Sequence, residues 1–158
     1  MTPFTGTHSG KLDSKGRIAI PAPLRHVMEK NGCTDLAFRP SHDLPCIEAH
    51  LETAFNAMVE AINAMPQFSP ERRIQENTII ARSALIRVDA DGRVLLPERM
   101  VKKARLEGPL TFLGKGTRFE IWAEDAAEAH LDGADEEMRE NAYTLSLLPL
   151  PPTPQAVP

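Results

Sequence analysis

Apolar and polar positions alternate over two short stretches of the chain that resemble each other. Residues 12–21 read LDSKGRIAIP, in which Ile18 and Ile20 fall on one face of a strand and Arg17 and Ala19 on the other. Residues 88–97 read VDADGRVLLP, with Val94 and Leu96 in the equivalent places. Asp13/Asp89, Gly16/Gly92, Arg17/Arg93 and Pro21/Pro97 are identical at an offset of 76 residues, and Leu12/Val88, Ile18/Val94 and Ile20/Leu96 are aliphatic exchanges. A fixed offset of this kind is the signature of an internal repeat. Gly16 and Gly92 sit between β-rich flanks, where glycine accepts the positive φ of a tight hairpin turn.

The segments just after the two copies also match. Pro21 opens PAPLRHVMEKNG and Gly32 stops it; Pro97 opens PERMVKKARLEG and Gly108 stops it. Proline at a helix start and glycine just past its end predict a short helix in each unit. Short apolar strands are predicted at Leu36–Phe38 and Leu110–Phe112, with further strands near Cys46–Ala49 and Phe119–Trp122. Each unit therefore reads strand, hairpin, strand, helix, strand, strand. Between the units, Leu51, Phe55, Met58, Ile62 and Met65 form a helical stripe, expected to pack within the chain. Ser69-Pro70-Glu71 signals a second helix start. Residues 124–142 read as an acidic helix. The five prolines within 149–158 predict a disordered tail.

Charge changes this picture. The formal net charge of −4 argues against a nucleic-acid partner. Yet residues 1–40 carry six Lys/Arg against three acids, whereas residues 124–140 carry eight acids and only Arg139. An acidic total thus conceals a basic end. Cys33 and Cys46 read as two reduced thiols, not a disulfide framework. The opening MTPFTGTHSG has no signal-peptide core, and no apolar run spans a membrane.

A hairpin needs glycine but does not need an aspartate four residues before an arginine. Asp13 is placed to accept turn amides and to hold the Arg17 guanidinium in one orientation. The pair reads either as a turn-stabilising ion pair or as an oriented arginine on a ribbon that fits the major groove. Arginine suits bidentate contact with guanine or phosphate. The first hairpin adds Lys11 and Lys15, whereas the second has Asp91 at the Lys15 position. Asp13, Lys15 and Arg17 are therefore the leading candidate DNA contacts, with Asp89 and Arg93 secondary.

Other constellations are weak. His42, Cys46 and His50 recur every four residues, but Pro45 breaks such a helix and a fourth ligand is lacking, so no metal is expected. His8 reads as a solvated strand residue, and His26 and His130 as surface helix residues. Gly114-Lys115-Gly116 lacks the spacing of a phosphate loop. Ser9, Ser14, Ser83 and Ser146 lack a nucleophile elbow. The chain reads as a binding protein: not an enzyme, with no cofactor and no small-molecule substrate. The rival reading is an antitoxin-like protein-interaction module whose acidic end occupies a basic partner.

These residues resemble the MraZ family over about residues 4–126. The resemblance rests on Phe4-x-Gly6, Leu12-Asp13-x-Lys15-Gly16-Arg17, Ile20-Pro21, Leu24-Arg25, Glu71-Arg72-Arg73, Asp89-x-x-Gly92-Arg93, Leu96 and Phe119-Glu120-x-Trp122. Glu76–Arg82 and everything from residue 127 depart from it. It implies a mainly β fold with short helices (α+β), in which two AbrB-like swapped-hairpin units form one pseudo-symmetric barrel. The units span 7–52 and 83–126, joined by a helical linker at 53–82 and followed by an acidic, Pro-rich extension at 127–158. It further implies a cytoplasmic, nucleoid-associated transcription regulator, a repressor binding short direct repeats in double-stranded DNA upstream of its own division and cell-wall gene cluster. It implies ring-like homo-oligomers, and it assigns DNA contact to Asp13, Lys15, Arg17, Asp89 and Arg93.

Overall fold

The structure is a computed structural model that describes residues 1–149. The predicted order of elements is present in both units. In the first, β1 (Thr7–Lys11), β2 (Arg17–Ala19), α1 (Ala22–Lys30), β3 (Asp35–Pro40) and β4 (Cys46–Leu51) succeed one another. The linker holds α2 (Glu52–Asn63) and α3 (Pro70–Gln75), the latter continuing as a π-helical segment over Glu76–Ile80. The second unit supplies β5 (Ala84–Arg87), β6 (Arg93–Leu95), α4 (Glu98–Lys103), β7 (Pro109–Gly114) and β8 (Arg118–Ala123). The acidic segment forms α5 (Glu124–Asn141). Apart from Pro149, the Pro-rich end expected to be disordered lies outside the described residues.

Local chemistry accounts for the helix starts. Ser69 caps α3 by accepting the Arg72 N–H at 3.2 Å, and Pro70 comes next. Pro21 and Pro97 occupy the residues before α1 and α4, where their missing N–H removes one unpaired donor. The α2 stripe packs within the chain: Phe55 and Ile62 are buried, and the helix lies along β3 and β4.

The strands do not stay with their own units. Six of them form one antiparallel sheet in the order β1-β7-β8-β4-β3-β5, so β1 joins the second unit and β5 joins the first. β2 and β6 pair only with each other, as a separate two-stranded ribbon. The expected barrel is not closed. The six-stranded sheet keeps free edges at β1 and β5, because the short strands β2 and β6 leave it to form the ribbon.

The main core lies under that ribbon. Ile18, Ile20, Val94 and Leu96 all point inward and are buried against Leu36, Phe38, Ile47, Phe112, Phe119 and Ile121 of the sheet. Leu24 and Met28 of α1 and Met100 of α4 complete it. Burying such a side chain contributes about 1.5–3 kcal/mol, so two three-residue strands become stable only by sharing one core.

The opposite sheet face is polar yet buried. Register places Arg39 opposite Glu48, and Glu48 opposite Glu120. Two facing acids repel each other, and neighbouring arginines and a histidine hydrogen bond offset this. Arg39 Nη2 lies 3.0 Å from Glu48 Oε2, His50 Nε2 3.0 Å from Glu48 Oε1, and Arg118 Nη2 3.1 Å from Glu120 Oε2. The Trp122 indole donates to Glu120 Oε1 at 3.1 Å. Beside this row, Cys46, Leu113 and Trp122 form a small apolar cluster capped by Ala127 of α5. His130 is half-buried, stacked on Trp122 with ring centroids 4.4 Å apart, and is not the free surface residue expected from sequence.

Cys46 and His50 lie on this strand face with Glu48 between them, whereas His42 is in the exposed turn before it. Among the described residues no three His, Cys, Asp or Glu side chains are placed to hold a metal ion. Both cysteines are free; burial, followed by the Glu120 and Glu48 charges, pushes the Cys46 thiol up to about 12. No helix among the described residues is long and apolar enough to cross a membrane.

Candidate nucleic-acid interface

The first motif is a β-turn closed by the Gly16 N–H donating to the Asp13 carbonyl at 3.1 Å. Gly16 has φ +80°, which joins the turn to β2 through a bulge. The Asp13 carboxylate sits at the centre. Its Oδ1 accepts the Lys15 and Arg17 N–H groups, each at 2.8 Å, and its Oδ2 accepts Arg17 Nε at 3.0 Å. These bonds hold the Asp13 carboxyl below the usual carboxylate range. The Arg17 N–H is the largest cause; the slight burial opposes it, and the Lys15 N–H and the guanidinium add to it. The guanidinium is thereby fixed at its Nε edge and stays partly open to solvent.

The second motif has the same turn with a looser arginine. Asp89 Oδ1 accepts the Asp91 and Arg93 N–H groups, each at 2.9 Å, and Gly92 has φ +77°. No side-chain bond joins Asp89 to Arg93, and Arg93 is exposed. The inequality expected from Lys15 against Asp91 thus extends to the arginines.

The structure places the two motifs differently from the sequence reading, which put each arginine on its own protruding hairpin. Each hairpin is short: beyond the Leu12↔Ile18 bridge in the first unit, its backbone bonds are those at the turn, Asp13 N–H to Arg17 and Gly16 N–H to Asp13 in the first, Asp89 N–H to Arg93 and Gly92 N–H to Asp89 in the second. The ribbon is instead made from both units. Register pairs Arg17 with Leu95, Ile18 with Val94 and Ala19 with Arg93. Ile18 and Val94 point into the core, so Arg17, Ala19, Arg93 and Leu95 share the outer face. Arg17 and Arg93 are diagonal neighbours there, roughly 7–8 Å apart at Cα. That separation is about two base-pair rises of 3.4 Å. Leu95 stands 61% exposed between the turns, its Cδ1 leaning over Gly16.

Lys15 is exposed at the turn beside Arg17. Lys11 ends the edge strand β1, away from the ribbon pairing. His8 is half-buried on β1, with Nε2 2.9 Å from the Thr5 carbonyl. Asp13, Lys15, Arg17, Asp89 and Arg93 are therefore gathered on one two-stranded surface and its turns. The sequence reading missed Leu95 as part of this face, although its alternation with Val94 and Leu96 marks it as outward.

Comparison with known proteins identifies the family. The family model described as "MraZ protein, putative antitoxin-like" matches the chain twice, over residues 3–78 and 79–146. A protein of Gluconacetobacter diazotrophicus named transcriptional regulator MraZ is 36% identical over 131 residues, covering 81% of this chain and 83% of that protein. One of the same name from Azorhizobium caulinodans is 36% identical over 141 residues, 89% of each chain. Another, from Methylocella silvestris, is 31% identical over 146 residues, 92% of this chain and 89% of its own. With both halves matched by the family model and relatives of this identity matched over most of their length, the chain belongs to the MraZ family.

Proposed function

We propose that this protein is a transcription regulator that binds duplex DNA in a sequence-specific manner through the outer face of the β2–β6 ribbon. The observation that carries the proposal is the placement of Arg17 and Arg93 on one exposed ribbon face, with Asp13 holding Arg17 at its Nε edge. A two-stranded ribbon fits the major groove, about 12 Å wide, and an oriented guanidinium suits guanine O6 and N7. Lys15 supplies phosphate contact at the first turn. Asp13 and Asp89 support the turns. The relatives' shared name, transcriptional regulator, supports the same reading. Catalysis is no part of it.

The finer reading is repression of the protein's own promoter, at the head of a division and cell-wall gene cluster, in the nucleoid of the cytoplasm. The exchange of β1, β5 and the ribbon strands between units supports an AbrB-like swapped-hairpin relation. A protomer of net charge −4 with few ribbon cations binds DNA weakly by itself. A ring-like homo-oligomer offsets this by raising effective concentration at repeated sites. Direct repeats near one helical turn apart present the same groove face to successive protomers.

Selection from a random duplex pool with purified full-length protein tests the reading. The expected product is a short G-containing element, enriched as direct repeats of near-helical spacing. A pool without sequence enrichment after several rounds contradicts sequence-specific binding.

A further inference from the structure

We propose that Arg25, on α1 of the first unit, is a DNA-phosphate contact belonging to the second hairpin. This inference rests on the duplex-DNA reading above and assigns a cation that the repeat pattern does not place there.

Pairing in the ribbon sets the geometry. The Ile20 N–H donates to the Gly92 carbonyl at 2.7 Å, which brings the start of α1 against the second turn. Arg25, in the first turns of that helix, lies directly on Gly92. A Cβ at Gly92 would sit 2.5 Å from Arg25 Cδ, 2.6 Å from Nη1 and 2.9 Å from Cζ. The φ of +77° requires glycine at this position, and the absence of a side chain leaves the room that the Arg25 side chain occupies. The pair borders a cleft of about 160 Å³ whose other walls include Val88, Asp89 and Cys33.

Asp89 and Glu29 line the same cleft as Arg25, but neither lies within ion-pair distance of it. Among the described residues it takes part in no ion pair, and its buried Nε has no hydrogen-bond partner. Glu29, one helical turn along, faces His26 instead, at 3.8 Å. No acidic residue occupies the first turn of α1. A cation near a helix N-terminus is electrostatically unfavourable unless an anion is close by, and a DNA phosphate beside the second turn supplies that anion.

The repeat gives the internal comparison. The residue equivalent to Arg25 in the second unit is Val101, which lines the larger cleft at the first turn with Leu12, Gly16 and Leu95. The first turn carries its extra cation within the hairpin, as Lys15; the second has Asp91 there. With Arg25 added, each turn presents two cations, Lys15 and Arg17 at one end of the ribbon and Arg25 and Arg93 at the other. The two ends of the ribbon then match in number of cations, although Asp91 leaves the second turn the less positive of the two.

The test is the salt dependence of duplex affinity, because each phosphate neutralised contributes about 0.9 to the slope of log K against log salt. The probe is the highest-affinity duplex recovered by selection. Arg25→Met and Arg25→Gln keep the methylene stem over Gly92, with folding followed by thermal unfolding. Both are expected to make the slope shallower by about one per bound protomer, and Arg25→Lys is expected to retain it. Wild-type slopes in the folded neutral variants would overturn the inference. So would failure of both neutral variants to fold while Arg25→Lys folds, since that makes the positive charge a support for the turn. Arg17→Ala separates the two levels: if it binds the duplex as wild type does, the DNA reading itself is wrong, whereas its loss of binding with unchanged Arg25 slopes removes only the role of Arg25.

Discussion

At the residue scale, the two aspartates of the repeat do different work. Asp13 holds two backbone N–H groups and the Arg17 Nε, while Asp89 holds only backbone N–H groups. Asparagine at either position still accepts the backbone bonds but loses the charge. Asp13→Asn is therefore expected to weaken duplex binding several-fold by freeing Arg17, and Asp89→Asn to change it little. Fluorescence anisotropy at fixed salt checks the ranking, and equal losses would contradict it. The Asp13–Arg17 pair was legible because its partners are four residues apart in a recognisable turn. The Arg25–Gly92 contact was not, because nothing local in α1 reveals which turn the helix start will meet.

At the scale of elements, the buried polar row explains where alternation misleads. Arg39, Glu48 and His50 alternate with apolar residues as a solvated strand face would, yet all three are buried. α5 packs over β7 and β8, and α2 along β3 and β4, which closes much of the sheet to water. Burial alone would raise the Glu48 carboxyl, but the His50 hydrogen bond and the charges of Arg39, His50 and Arg118 outweigh it and hold it below the ordinary value. A depressed carboxyl stabilises the fold above its unfolded pKa, about 4.3, and that contribution is lost as pH falls through the folded value. Glu48→Gln leaves buried cations without their carboxylate and is expected to cost about 3 kcal/mol near neutral pH. The gap from wild type should narrow below about pH 4. Denaturant unfolding across pH measures it, and a gap that is constant with pH would contradict the assigned role. The helices and strands themselves were readable because proline starts, glycine stops and apolar periodicity are local signals. α2, for example, begins one residue after its predicted start and ends two before its predicted end.

At the scale of the molecule, the repeat was visible but its exchange of partners was not. Periodicity says which face of a strand is apolar; it does not say that β2 will choose β6, or that β1 will choose β7. Those choices reflect a core that neither unit can build alone, since Ile18, Ile20, Val94 and Leu96 bury one another. They also turn two modest hairpins into one surface, with both motif arginines outward and an open sheet in place of the expected barrel. The densest run of acids, eight of the 22 in the chain, lies on α5, whose residues from Asp132 onward are exposed and which is no part of the ribbon. An electrophoretic shift assay at fixed salt, with the selected duplex and the Arg17→Ala, Arg93→Ala and doubly substituted proteins, tests the ribbon as the DNA surface most directly. The expected result is folded proteins with a large loss for Arg17→Ala, a smaller one for Arg93→Ala, and no specific complex for the double variant. A double variant that shifts the duplex at wild-type concentrations would contradict the assignment.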